Sequence, residues 1–239
     1  GVDVASSSLG YIDFDNASND HQYSEMDGET TVISRAAQMA TEKGMVVVNS
    51  AGNSGNSLDW RWIGAPADAK DVIAAGGLDA FGNRVSFSSI GPTSDGRVKP
   101  DVMAMGGGVK NADPNSLNGY TLGNGTSFAC PLIAGVAAQI LSAHPYLTPL
   151  QMNEALRNTA SQAGTPDNTN GYGTVDALAA VTYWGPAFSN QIEIIAAMGA
   201  EIQVETKVLL GASEVVSSLQ LFWRPLGGDS FQTLSMQSD

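Results

Sequence analysis

The sequence predicts an α/β domain built on a parallel sheet, with a β-rich segment after it. Three observations carry that expectation. Residues 2–9 (VDVASSSL) and 45–50 (MVVVNS) are strand patterns separated by a helical stretch, the order of a right-handed strand, helix, strand crossover. Residues 127–143 (SFACPLIAGVAAQILSA) are apolar on every side, as in a helix running through the centre of a domain. After Trp184 the chain alternates between apolar and polar residues and is broken by turn signals instead of helix signals.

Each element has a local reason. Residues 10–29 form an acidic loop without periodicity, and in 30–44 the residues Val32, Ile33, Ala36, Ala37 and Ala40 recur at helical spacing, with Gly44 where a C-terminal cap belongs. MVVVNS is a continuous β-branched run ending in a glycine-rich turn, which suits a strand buried on both faces. Residues 72–77, 84–88 and 101–105 are further short strands. Thr148, Pro149 and Gln151 make a capped start for a helix ending near Ala160, and a last helix spans 174–183. A domain boundary is expected near 185, and residues 190–239 read as strands of an incomplete β-sandwich of immunoglobulin type. Gly1 opens inside an apolar segment and FQTLSMQSD ends without turn or cap, so the chain reads as a fragment.

Composition narrows the function classes. The 239 residues are 43% hydrophobic, enough for a real core, and no transmembrane helix is expected. The formal charge of −13 repels phosphate backbones and anionic membranes, so nucleic acid is not an expected partner. The single cysteine, Cys130, excludes an internal disulfide and a cysteine-cluster metal site, and is expected to be a buried, inert thiol.

Three turns could carry chemistry: SSSLG (6–10), NSAGNSG (49–55) and GNGTSFACP (123–131). The first two leave their strands at the carboxyl end, where open parallel sheets bind ligands. Ser127 at the mouth of a helix has unpaired backbone amides beside it, and Asn53 could add a side-chain donor for a developing negative charge. Taken singly, Thr126 or Ser127 reads as an ordinary helix cap, and Asn53 as a residue tolerant of left-handed turn geometry.

Together these turns resemble the subtilisin-like serine proteases. GTSFACPLIAG resembles their nucleophile motif, NSAGNSG their oxyanion-asparagine turn and SSSLG their substrate-pairing edge, in the same order. The resemblance continues through WIGAPADAKDVIAAGG, RVSFSSIGP, VKPDVMAMG and GYGTVDALAA, covering about residues 2–184. It implies a three-layer α/β peptidase domain over 1–184, N-terminally truncated, with 185–239 as linker and incomplete accessory domain. It also implies hydrolysis of protein or peptide substrates through an acyl-enzyme, in a secreted protein. Ser127 would be the nucleophile, and Asn53 with the Ser127 N–H the oxyanion hole. Ser8, Leu9 and Gly10 would form one wall of the cleft, with Ser50, Ala51, Gly52 and Gly64 around the specificity pocket. No cofactor is required by the resemblance, and calcium is an optional structural ion without an assigned site.

The pattern also breaks. The family's D-[ST]-G and H-G-[TS] motifs, which carry its Asp and His, are absent from these residues. Of the two histidines, His144 closes the helix that Ser127 opens, roughly 25 Å away at about 1.5 Å per residue. His21 sits among Asp15, Asp20, Glu25 and Asp27 as a solvated rim residue. The acidic loop lacks the third acidic ligand and the glycine of an EF-hand, and residue 24 is Ser where the bidentate Glu belongs. Phe128, Leu132 and Met105 stand where relatives commonly have Met, His and Pro, which leaves the shape of 105–120 open. Trp60 and Trp62 fit either cleft lining or packing. A non-catalytic relative that binds peptide or a partner protein is the competing expectation. An α/β-hydrolase esterase is set aside, because Ser127 lies in G-T-S-F-A, not in G-x-S-x-G.

Overall fold

The computed structural model describes residues 1–188, 193–195, 203–213, 215–224 and 230–236. Its centre is a four-stranded parallel sheet of β1 (Val4–Ser7), β2 (Val46–Ser50), β3 (Ile73–Leu78) and β4 (Val102–Met105), in that order. Strands β2 and β3 are buried at every residue, as the apolar runs Val46–Val48 and Ile73–Leu78 require when both faces are covered, and the polar Asn49 and Ser50 are buried with them at the carboxyl end of β2.

The covering layers follow the alternation of side chains along β2. Val46 and Val48 face α2 (Thr126–Ala143), where Cys130, Ile133, Ala137 and Ile140 pack on Ile73, Ala75 and Val102. Val47 faces the other way, onto α1 (Val32–Glu42), through Ala37 and Ala40. Thr31 caps α1 by accepting from the Ser34 N–H, and Gly44 turns the chain out at φ +94°. Helices α3 (Pro149–Thr159) and α4 (Ala177–Thr182) join the α2 side, and α3 opens with the expected Thr148 and Gln151 capping box. The result is the three-layer α/β domain.

Helix α2 is long and apolar enough to cross a membrane by length and composition alone, against the sequence expectation of no such segment. One side of it packs across all four strands, while Pro131, Leu132, Gly135 and Ala138 on the other side are exposed, so the helix covers one face of the sheet and is not enclosed all round as its sequence suggested.

Two local departures have physical reasons. Residues 84–88 form no strand: Arg84 makes one bridge to Leu78, and the Ser88 N–H then turns back onto the Val85 carbonyl. Within 105–120 the chain starts an antiparallel hairpin, β5 (Val109–Ala112) with β6 (Tyr120–Gly123). Beyond it, β7 (Ala187–Phe188) pairs with β10 (Val208–Leu209), β8 (Glu193–Ile195) with β9 (Gln203–Glu205), and β11 (Leu219–Trp223) with β12 (Gln232–Met236). These are three separate antiparallel ladders, and the rest of the strand expectation for 190–239 lies outside the described residues. Ala187 is buried in the main core, so that core reaches slightly past residue 185.

At the amino ends of β3 and β4 sits an ion cluster in which Asp101 and Lys99 are fully buried and Arg157 is partly exposed. Asp101 accepts from Lys99 Nζ at 2.8 Å, from Arg157 Nε at 2.9 Å and from the Ala74 N–H at 2.6 Å. Lys99 Nζ also donates to the Val72 carbonyl at 2.6 Å. Burial alone would raise the Asp101 pKa, but the charges of Arg157 and Lys99 hold it below the usual carboxylate value.

Candidate active site

At the opposite, carboxyl ends of the sheet, β1 and β2 release the chain into the turns 8–10 and 51–54, and α2 begins with Thr126 beside them. Between these three segments lies a cleft of about 260 Å³. Ser8, Gly10, Ser50, Ala51, Gly52, Asn53, Gly64 and Ser127 all line it, so the structure brings together eight of the nine residues singled out from the sequence. Leu9 is the exception: between two cleft-facing neighbours its side chain points outward, 60% exposed. Only its backbone borders the site, where its carbonyl accepts from Asn49 Nδ2 at 3.0 Å.

The start of α2 explains how Ser127 is presented. Gly125 precedes the helix at φ +148°, a conformation that a side chain disfavours, and it offers no side-chain cap. Neither Thr126 nor Ser127 is the cap residue. The first-turn amides are instead divided: the Thr126 N–H donates to Asn53 Oδ1 at 2.8 Å and the Phe128 N–H to the Gly125 carbonyl at 3.0 Å. Among the described residues the Ser127 N–H has no acceptor, and it sits at the positive end of the helix dipole.

Asn53 is oriented by the same helix start. Its Oδ1 also accepts from Thr126 Oγ1 at 3.0 Å, which fixes the amide so that Nδ2 is the free end, and none of the described residues takes that donor. Among the described residues no non-glycine residue has positive φ, so Asn53 is not there to tolerate left-handed backbone; Gly52 carries that conformation at φ +107°. The turn is gripped from two sides. Thr126 Oγ1 accepts from the Gly52 N–H at 3.2 Å, while buried Ser89 donates its N–H to the Gly52 carbonyl at 2.9 Å and accepts the Ser54 N–H on Oγ at 3.2 Å. A serine side chain, a free helix amide and a rigidly held amide donor thus share one cleft, an arrangement suited to attack on a carbonyl with two donors for the resulting oxyanion.

The Subtilase family model matches residues 1–173. The chain belongs to the subtilase family. It is 43% identical over 135 residues to Subtilisin DY of Bacillus licheniformis, covering 56% of this chain and 46% of that protein. It is 35% identical over 196 residues to Serine protease AprX of Bacillus subtilis, covering 74% of this chain and 42% of that one. Among solved structures it is similar to the prenylagaramide maturation protease PagA, with a TM-score of 0.59 and 26% identity over 77% of this chain and 62% of that one. The chain spans less than half the length of these curated relatives.

Within this subtilase chain neither histidine touches Ser127. His144 caps α2 at its far end, buried, with Nε2 2.9 Å from the Val181 carbonyl and Nδ1 3.3 Å from the Tyr146 hydroxyl. His21 lies 3.4 Å from Glu25 and packs edge-on against Phe14. Cys130 is fully buried within 3.3–3.4 Å of Ser6 Oγ and the Ser7 and Val48 carbonyls, and burial pushes its thiol pKa up, as an inert thiol requires. In the acidic loop, Asp27 spends both oxygens on Glu29, Thr30 and the Thr30 hydroxyl, and Asp20 accepts from the Phe14 N–H. Among the described residues no group of three or more His, Cys, Asp or Glu is arranged to hold a metal ion.

The sequence reading missed several lining residues. Tyr11, Ile12, Ser54 and Ser89 face the cleft, and Trp60 and Trp62 line it as well as packing on each other, with Tyr23 behind Trp62 at 4.4 Å between ring centres. Thr126 and Ser89 lay inside quoted motifs, but nothing in their spacing announced that they would grip the Asn53 turn from opposite sides.

Proposed function

We propose that this subtilase chain carries the nucleophile and oxyanion half of a serine endopeptidase site. Ser127 Oγ attacks the peptide carbonyl while a histidine, steered by an aspartate, takes its proton; both come from residues outside these 239. The Ser127 N–H and Asn53 Nδ2 hold the oxyanion, the amine leaves with the proton, and water releases the acyl-enzyme. One observation carries this reading: Thr126 pins Asn53 by its carbonyl oxygen, turning the amide donor free beside the unpaired Ser127 N–H. The substrates are proteins or peptides lying along Ser8, Leu9 and Gly10, with a side chain entering between Ser50, Ala51, Gly52 and Gly64. The reaction needs no cofactor. We place the protein outside the cell and the domain boundary near 185, following the family resemblance and the change of sequence pattern there.

The competing reading is a non-catalytic subtilase that binds peptide. A fluorophosphonate probe separates the two. The 239-residue chain alone is expected to stay unlabelled, and the full-length protein to be labelled at Ser127 and silenced by Ser127→Ala. Peptide binding by a full-length protein that never labels would establish the second reading instead.

A further inference from the structure

Asn49 is the last residue of β2 paired with β1, opposite Ser7. Beyond that pair the backbone of residues 8–10 leaves the ladder, and the Asn49 side chain takes over the connection. Nδ2 donates to the Leu9 carbonyl at 3.0 Å and to the Ser50 carbonyl at 2.9 Å. The side chain is fully buried, and Oδ1 has no hydrogen-bond partner. Turning the amide over would set Oδ1 against two carbonyl oxygens, so the orientation is fixed.

Burying an orphan acceptor works against stability. What Asn49 provides in return is at the cleft wall. Leu9 is held by no packing of its own, since its side chain is mostly exposed. The wall is also fastened at its ends, by Ser8 Oγ donating to the Ser127 carbonyl at 3.1 Å and the Tyr11 N–H donating to the Ala65 carbonyl at 2.9 Å. Asn49 fastens its middle to the strand whose next residue, Ser50, lines the pocket.

We propose that Asn49 is a positioning residue: without touching the substrate, it fixes the backbone of residues 8–10 at the spacing from Ser50 that an extended peptide requires. This rests on the reading of 8–10 as the peptide-binding wall. Asn49→Leu tests it, because leucine keeps the approximate shape and removes both the donor and the orphan acceptor. In the full-length protein the variant is expected to melt no lower than the parent. Its KM for a peptide long enough to lie along 8–10 should rise by about tenfold, the scale of one hydrogen bond, while kcat/KM for a short ester reaching only Ser127 stays within about twofold. Hydrogen exchange of the Ser8–Gly10 amides should accelerate in the variant. If Asn49→Leu does not fold, Asn49→Ala takes its place. Equal losses on ester and peptide, or an unchanged peptide KM, overturn the proposal whatever the exchange result. Full activity of Ser127→Ala refutes the site reading instead; unchanged exchange at 8–10 in that case overturns the tether as well.

Discussion

The two ends of the parallel sheet treat polar groups in opposite ways. At the amino ends of β3 and β4, Asp101 is enclosed by Lys99, Arg157 and the Ala74 N–H, so that both carboxylate oxygens are used. At the carboxyl ends of β1 and β2, the Ser127 N–H and Asn53 Nδ2 are left open while the Asn53 Oδ1 and the Thr126, Gly52 and Ser54 amides beside them are bonded. Saturated polar groups hold a fold together, whereas open ones held rigidly are prepared to receive charge that appears only during a reaction. The comparison predicts that mutations at one end change stability, and at the other turnover.

The amino end should give the largest effect. Asp101→Ala strands a fully buried Lys99 and a partly buried Arg157, and breaking such a cluster costs about 3–5 kcal/mol. Urea unfolding of the full-length protein should show that loss, while kcat per titrated active site stays unchanged. A fall in kcat among the remaining folded molecules would erase the distinction between the two ends.

Asn53→Ala is the converse. Loss of one oxyanion donor lowers kcat by about 10²–10³ in subtilisin itself, and the same fall is expected of this relative. The stability cost should stay near 1 kcal/mol, on the order of the hydrogen-bonding the side chain gives to Thr126. A variant that unfolds as readily as Asp101→Ala, yet turns over normally, would make Asn53 a structural residue.

How far each end could be read from sequence differs for a physical reason. The sheet was legible because β2 opens with a β-branched run, β3 is apolar throughout, and α1 and α3 carry their caps beside them. Ser127 and Asn53 could be singled out only because their glycine turns occur together in the order of a known family, since each turn alone reads as an ordinary cap or turn. Residues 84–88 misled: VSF looks like a strand, but the Ser88 N–H closes a turn on Val85 instead of joining a ladder. One partner of Asp101, Arg157, was hidden by distance along the chain, 56 residues away. Ser89 was hidden too, 35 residues from the Ser54 amide that it holds.

Ser89 therefore gives a sharper form of the comparison, since it is saturated yet belongs to the carboxyl end. Ser89→Ala removes the acceptor of the Ser54 N–H but keeps the backbone bond to Gly52. With about 1 kcal/mol at stake, kcat should fall about fivefold with KM unchanged, through a loosened Asn53. An unchanged kcat with a lowered melting temperature would assign Ser89 to stability alone.

The smallest effect is expected at Asp68, a buried carboxylate served by neutral donors: the Ser34 hydroxyl and the Gly28 N–H at 2.8 Å. Burial raises its pKa above the usual 3.8, only partly opposed by those hydrogen bonds and by the more distant Lys99 and Arg97. Asp101 shifts the other way, and the two carboxylates give stability opposite slopes with pH. Asp101 contributes stability above the ordinary aspartate pKa that is lost as pH falls through its lowered folded value. Asp68 contributes stability below the ordinary pKa that is lost as pH rises through its raised one, because there the folded state holds a proton that the unfolded state has released. Asp68→Asn deletes only the second contribution. Comparing its urea midpoint with the parent's at about pH 3.5 and about pH 7 cancels Asp101, and the variant should gain on the parent as pH rises, by less than about 1 kcal/mol since it also gives up one acceptor. A difference that runs the other way would mean that neutral donors hold this carboxylate charged as firmly as cations hold Asp101, and that saturation alone, whatever the partner, sets the behaviour of buried acids in this fold.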